Sequence, residues 1–216
     1  MTQPDNHSVR SRLIRALEHD DPSTRLRAAL AAGTDPDPEL AEFLAGRFSV
    51  EPDFFVRDML TWALTRLPTS VTVPLVLAEL NRDTSRARSQ ALHVLSKLRD
   101  AAAWPSVREL IHDSDADVVR AAWRAAVVLV PPGDEDELAV ALVSELGRGD
   151  REMQLSLSRA LIALEESVLP ALAGVASTDE VVREHARATE ALYRDPDSAF
   201  SLSWEAAKRV AATGGG

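Results

Sequence analysis

Apolar and polar residues alternate with a helical beat along nearly the whole chain, and the beat restarts about every 32 residues. Each restart follows an acidic residue, often with an apolar pair, then an Arg or Gln, then a run of Ala, Leu and Val. The clearest copies are Asp53-Phe54-Phe55-Val56-Arg57, Asp117-Val118-Val119-Arg120 and Asp179-Glu180-Val181-Val182-Arg183. The anchor position of the six copies holds Arg25, Arg57, Arg88, Arg120, Gln154 and Arg183, at intervals of 32, 31, 32, 34 and 29 residues. A period in this range predicts stacked supersecondary units.

Each copy divides into two helices. The first helices are predicted near 7–19, 38–49, 71–81, 102–112, 134–147 and 167–176, the second near 22–33, 53–67, 84–98, 116–130, 150–164 and 179–193. The connections carry helix punctuation: Asp20-Asp21-Pro22, Asp35-Pro36-Asp37-Pro38 and Pro131-Pro132-Gly133. Asp at an N-cap accepts an orphan amide, and Pro fits a first turn, where Pro68, Pro74 and Pro105 are also placed. A last helix after Asp195-Pro196, with Phe200, Leu202 and Trp204, is expected to cap the stack, followed by a flexible Gly-rich tail over 211–216. Residues 1–210 are read as a single domain. With no useful strand alternation, the chain is predicted to be all-α.

Rotation of about 100° per residue sorts the second helices into faces. Offsets of 3, 6, 7 and 10 from the anchor form a core stripe: Leu60, Ala63, Leu64 and Leu67; Ala91, Val94, Leu95 and Leu98; Leu157, Ala160, Leu161 and Leu164. Trp123 falls on that stripe. Offsets of 1, 5 and 8 point the other way: Asp58, Trp62 and Thr65; Ser89, His93 and Ser96; Ala121, Ala125 and Val128; Leu155, Arg159 and Ile162.

The recurring Asp-x-x-Val-Arg-x-x-Ala-Ala-x-Ala-Leu on the second of two helices resembles HEAT repeats, over roughly residues 7–193. Copy five departs with Gln154 at the Arg position, and copy six with Glu190 where an apolar residue is expected. The resemblance implies a right-handed α-solenoid (an α-α superhelix) of about six hairpins. It also implies an inter-repeat ladder through Arg25, Arg57, Arg88, Arg120 and Arg183, and a concave side lined by second helices. Asp58, Trp62, Thr65, Ser89 and His93 would then face a partner, with Arg124, Arg159 and Arg187 as the cations that engage its acidic groups.

Composition narrows the function. The net charge is −10, which argues against a nucleic-acid partner, since such binding needs a basic footprint. The second helices with their caps carry 13 basic and 11 acidic residues, against 11 and 23 elsewhere, so acidity lies mainly on first helices and connections. There is no Cys, no run of 18 apolar residues and no apolar leader, and a cytoplasmic location is expected. Only two of the 24 basic residues are Lys, a bias expected of a GC-rich, actinomycete-like genome.

Motifs for chemistry are lacking. Asp113-Ser114-Asp115-Ala116-Asp117 imitates a calcium loop, but Val118 replaces the turn glycine and Arg124 the bidentate Glu. Asp134-Glu135-Asp136-Glu137 suits a helix N-terminus, and Glu165-Glu166 is a carboxylate pair without a defined pocket. No catalytic residue, metal ligand or cofactor is expected. Two enzymatic readings remain from HEAT-like folds: an alkylpurine DNA glycosylase, using Trp62, Asp58 and scattered Arg, and a bilin lyase. The reading preferred here is a scaffold or regulatory module for a protein or peptide, engaging its acidic groups.

Overall fold

The computed structural model describes residues 6–195, and these form two compact units, one ending at Val130 and one beginning at Pro131. The first unit contains α1 (Asn6–Leu17), α2 (Pro22–Thr34), α3 (Ala41–Gly46), α4 (Phe54–Thr65), α5 (Thr69–Glu79), α6 (Ser85–Leu98), α7 (Trp104–Glu109) and α8 (Ala116–Leu129). The second contains α9 (Glu135–Val143), α10 (Arg151–Ile162), α11 (Val168–Ala173) and α12 (Glu180–Arg194). No strand occurs among the described residues. The expected capping helix with Phe200, Leu202 and Trp204, and the tail 211–216, lie outside them.

The predicted second helices match α2, α4, α6, α8, α10 and α12 to within about two residues at either end. Five begin on an Asp whose carboxylate accepts backbone N–H groups: Asp21, Asp53, Asp115, Asp150 and Asp179. The cap of α8 is thus Asp115, and Asp117 sits in its first turn. Three predicted first helices are interrupted. Short 3-10 turns at Pro38–Leu40 and Arg47–Ser49 flank α3, Ala101–Ala103 precedes α7, and Glu165–Ser167 precedes α11. Pro74 lies inside α5, not at its start, because the helix already begins at Thr69 with Pro68 as N-cap. Its ring is exposed, and the missing N–H removes one helical bond.

The core stripe is buried as the rotation predicts, from Leu60, Ala63 and Leu64 to Leu157, Ala160 and Leu161. Each such Leu contributes roughly 2 kcal/mol of hydrophobic stabilisation. Trp123 is fully buried, and its indole N–H donates to the Ile111 carbonyl at 3.0 Å. In the first unit α4 packs on α2, α6 on α4 and α8 on α6, while α1, α5 and α7 back onto α2, α6 and α8.

The anchor arginines do two jobs. The first is local. Arg25 donates to the carbonyls of His19 and Asp20, Arg57 to those of Glu51 and Pro52, and Arg183 to those of Ser177 and Thr178. Each side chain thus folds back on the turn that precedes its own helix, five and six residues upstream. Gln154 imitates this weakly, at 3.4 Å from the carbonyls of Gly147 and Gly149.

The second job is between repeats, and the acids are not the caps. Arg25 Nε and Nη2 each reach Glu51 at 2.7 Å, and Arg88 reaches Asp113 at 3.4 Å. Glu51 and Asp113 each sit two residues before a cap and also accept that cap's N–H, from Asp53 and Asp115. The equivalent position before Thr84 and Asp150 holds Arg82 and Arg148. Arg120 pairs with Asp117 on its own helix, and Arg183 with Glu180 on its own. Charged rungs thus join copies one and two, through Arg25 and Glu51, and copies three and four, through Arg88 and Asp113.

In the second unit a buried polar cluster joins α10 to α12. His185 Nδ1 accepts the Gly147 N–H at 3.0 Å, and Nε2 lies 2.9 Å from the Gln154 carbonyl and 3.1 Å from Ser158 Oγ. Ser158 and Thr189 share a 2.8 Å hydrogen bond. This network requires the neutral tautomer with hydrogen on Nε2, because Nδ1 is an acceptor. Burial lowers the His185 pKa below its ordinary 6.5, against the opposing Gln154 carbonyl. The unfolded chain then binds the proton first as pH falls. The second unit is expected to hold its stability above pH 6.5, to lose it below, and to level off once pH passes the depressed folded value. Hydrogen exchange at the Gly147 amide between pH 8 and 5, as an approximate window, reads this directly. The prediction fails if His185→Gln shows the same pH dependence as wild type.

Candidate functional site

Six of the residues expected to face a partner, Asp58, Trp62, Thr65, Ser89, His93 and Arg124, lie on the first unit, on α4, α6 and α8. Offset 5 is held there by Leu30, Trp62, His93 and Ala125. Trp62 is 38% exposed and Leu30 47%, while Ala125 is buried. One edge of the Trp62 ring presses on Gly33 of α2, where an added Cβ would stand 2.2 Å from Cζ3. The ring therefore has a fixed seat on the neighbouring repeat and an open face. Trp62 is thus packed against α2 along one edge and partly exposed elsewhere.

Asp58 is exposed one turn before Trp62, and Thr65 follows it, half exposed, with its hydroxyl donating to the Trp62 carbonyl at 2.7 Å. Ser89 and Ser96 likewise donate to carbonyls of α6, those of Arg86 and His93. These short hydroxyls satisfy their own helices and leave the face smooth. His93 feels its neighbours from three helices. Burial, then Lys97 and Arg124, lower its pKa, while Asp58 opposes them. Arg124 is exposed on α8, and desolvation followed by the Arg120 charge lowers its pKa. Asp58, His93 and Arg124 thus share one electrostatic neighbourhood.

Ala121 and Ala125 depart from expectation. Both were predicted to face outward, and both are buried. α8 rests closely on α6, and small side chains at those offsets permit the approach. Val128, Leu155 and Ile162 are half covered.

Arg159 and Arg187 belong to the second unit. Arg159 is exposed, with no hydrogen bond or ion pair among the described residues. Arg187 is exposed and pairs with Glu180 at 2.7 Å. A cleft of about 380 Å³ lies along α12, lined by Leu169, Leu172, Val175, Arg183, Arg187 and Glu190 among others.

Two contributors to the face were not anticipated. Leu30 occupies in copy one the offset that Trp62 holds in copy two, so extending the same count backward finds it. Phe55, 68% exposed, lies seven residues before Trp62 and shares its side of α4; Phe54 packs edge-on against it.

The Ser158–His185 contact has the distance of a nucleophile–base pair only. Both side chains are buried, and the imidazole is oriented by the Gly147 amide and not by a carboxylate. Asp113 and Asp115, of the calcium-like stretch, are engaged with Arg88 and with backbone amides. No helix among the described residues is long and apolar enough to cross a membrane.

No family model matches the chain, and no curated protein matches it. Two crystal structures of engineered proteins, both Northeast Structural Genomics Consortium targets, are similar to it at 19% identity, with TM-scores of 0.46 and 0.45. They cover 82% and 85% of this chain and 95% of their own lengths. At that distance the likeness carries no functional argument, and the reading rests on the face itself.

Proposed function

We propose that the chain is a non-enzymatic module that binds a protein or peptide segment, built as a HEAT-like α-solenoid whose second helices present the binding face. The observation that carries this reading is Trp62, braced on Gly33 yet 38% exposed, in line with Leu30 and His93. A large aromatic in a fixed orientation contributes area without much loss of side-chain freedom, which is why such residues dominate interface energetics. Asp58, Thr65, Ser89 and His93 surround it with polar groups, and Arg124 supplies a cation for an acidic segment. Arg159 and Arg187 are the corresponding cations of the second unit.

The test is a display selection for peptides that bind the wild-type chain, followed by titration of each selected peptide against Trp62→Ala. Binding at least roughly tenfold weaker is expected, with the helical circular dichroism signal retained at the temperature of the titration. Selected peptides that bind Trp62→Ala as tightly as wild type would remove the site from this face.

A further inference from the structure

Successive second helices of the first unit differ in chemistry along one row. Leu30 on α2 and Trp62 on α4 are apolar, and Phe55 extends the α4 side. His93 on α6 is polar, and on α8, where the row itself holds the buried Ala125, the adjoining Arg124 is exposed and supplies a cation near His93. Asp58 stands beside Trp62 and places a negative charge on the apolar half. Arg66 and Lys97 occupy the same repeat position on α4 and α6, so they do not distinguish the halves; Asp58 and Arg124 do.

We infer that this row reads an extended segment of blocked composition, with apolar residues over α2 and α4 and carboxylates over α6 and α8. The inference rests on the peptide-binding reading above and specifies its partner. Packed helices are about 8–10 Å apart, so three steps span roughly 25–30 Å. At about 3.3 Å per residue that is an extended segment of eight or nine residues. Charge complementarity selects the occupant. Arg124 attracts acids at one end, and Asp58 repels them at the other, so the arrangement discriminates by both attraction and repulsion.

Three fluorescein-labelled peptides test this: a blocked one (Leu-Phe-Leu, Gly-Ser-Gly, Glu-Glu-Glu), an interleaved one of the same composition, and a neutral one with Gln for Glu. Fluorescence polarisation is expected to show the blocked peptide binding at least about tenfold tighter than the interleaved one. Arg124→Glu should erase that preference. A benzophenone at the apolar end should crosslink to α2 or α4, and one at the acidic end to α6 or α8. Equal affinity for blocked and interleaved peptides, or crosslinks in the opposite sense, overturns the inference and leaves peptide binding standing. Failure of all three peptides to bind overturns the inference and counts against the peptide-binding reading as well, which the display selection then decides separately.

Discussion

Glu51→Ala is expected to destabilise the first unit by about 3–5 kcal/mol, the usual cost of leaving a buried charge without its partner. Glu51 is fully buried and accepts from Arg25 through two nitrogens, from Arg47 at 3.3 Å and from the Asp53 amide. Burial opposes its charge, yet the Arg25 hydrogen bonds and the Asp53 amide hold its carboxyl below the usual range. Its contribution is thus present above pH 4.5 and is lost as pH falls through the depressed folded value. Arg25 is nearly as buried, so removing the acid alone strands a guanidinium. The double variant Arg25→Met, Glu51→Leu should recover most of the loss, because an apolar pair of similar size needs no desolvation. Chemical denaturation of the three species, wild type, Glu51→Ala and the double variant, tests this. A single variant within about 0.5 kcal/mol of wild type would show that the rung carries nothing. Asp113→Ala should cost less, about 1 kcal/mol, since the Arg88–Asp113 pair is longer and partly exposed.

The second large effect concerns Gly33. In a helix, Gly→Ala ordinarily gains up to about 1 kcal/mol. Here the new methyl would meet the Trp62 ring at 2.2 Å, with the α4 backbone at Ala63 Cα 3.0 Å away. Gly33→Ala is therefore expected to cost about 1–3 kcal/mol as overpacking, and to expel the Trp62 ring. In a Trp62→Ala background the ring clash disappears, and most of the penalty should go with it. A double-mutant cycle by thermal melting isolates that coupling. Additive effects would mean that the ring does not rest on Gly33, and the fixed-anchor account would lose its basis.

Much of the fold was legible because its signals are local. Asp caps, Pro at first turns and the offset pattern are properties of single helices, and they located the six second helices closely. What failed depended on neighbours. Ala121 and Ala125 point away from their own hairpin, but α8 lies so close to α6 that small side chains vanish into the junction. Helical rotation within one segment carries no information about that spacing. The acids that pair with the anchor arginines carry no repeat signature. Glu51 and Asp113 sit in connections, where only three-dimensional proximity to Arg25 and Arg88 reveals them. Gly33 gave a faint signal, a glycine within an otherwise amphipathic stretch, whose meaning needed the Trp62 ring beside it. The division at Val130 coincides with Pro131-Pro132-Gly133, which by sequence reads as one more connection.

The central claim is that the face carrying Trp62 is where a peptide segment binds. The most direct measurement is a heteronuclear NMR titration with the blocked peptide, following the Trp62 indole N–H, assigned by its absence in Trp62→Phe. The account predicts saturable shifts at that resonance and at the amides around Leu30, His93 and Arg124, with the α5 resonances unmoved. A peptide that binds while the Trp62 indole stays still, or that shifts α5 instead, would contradict it.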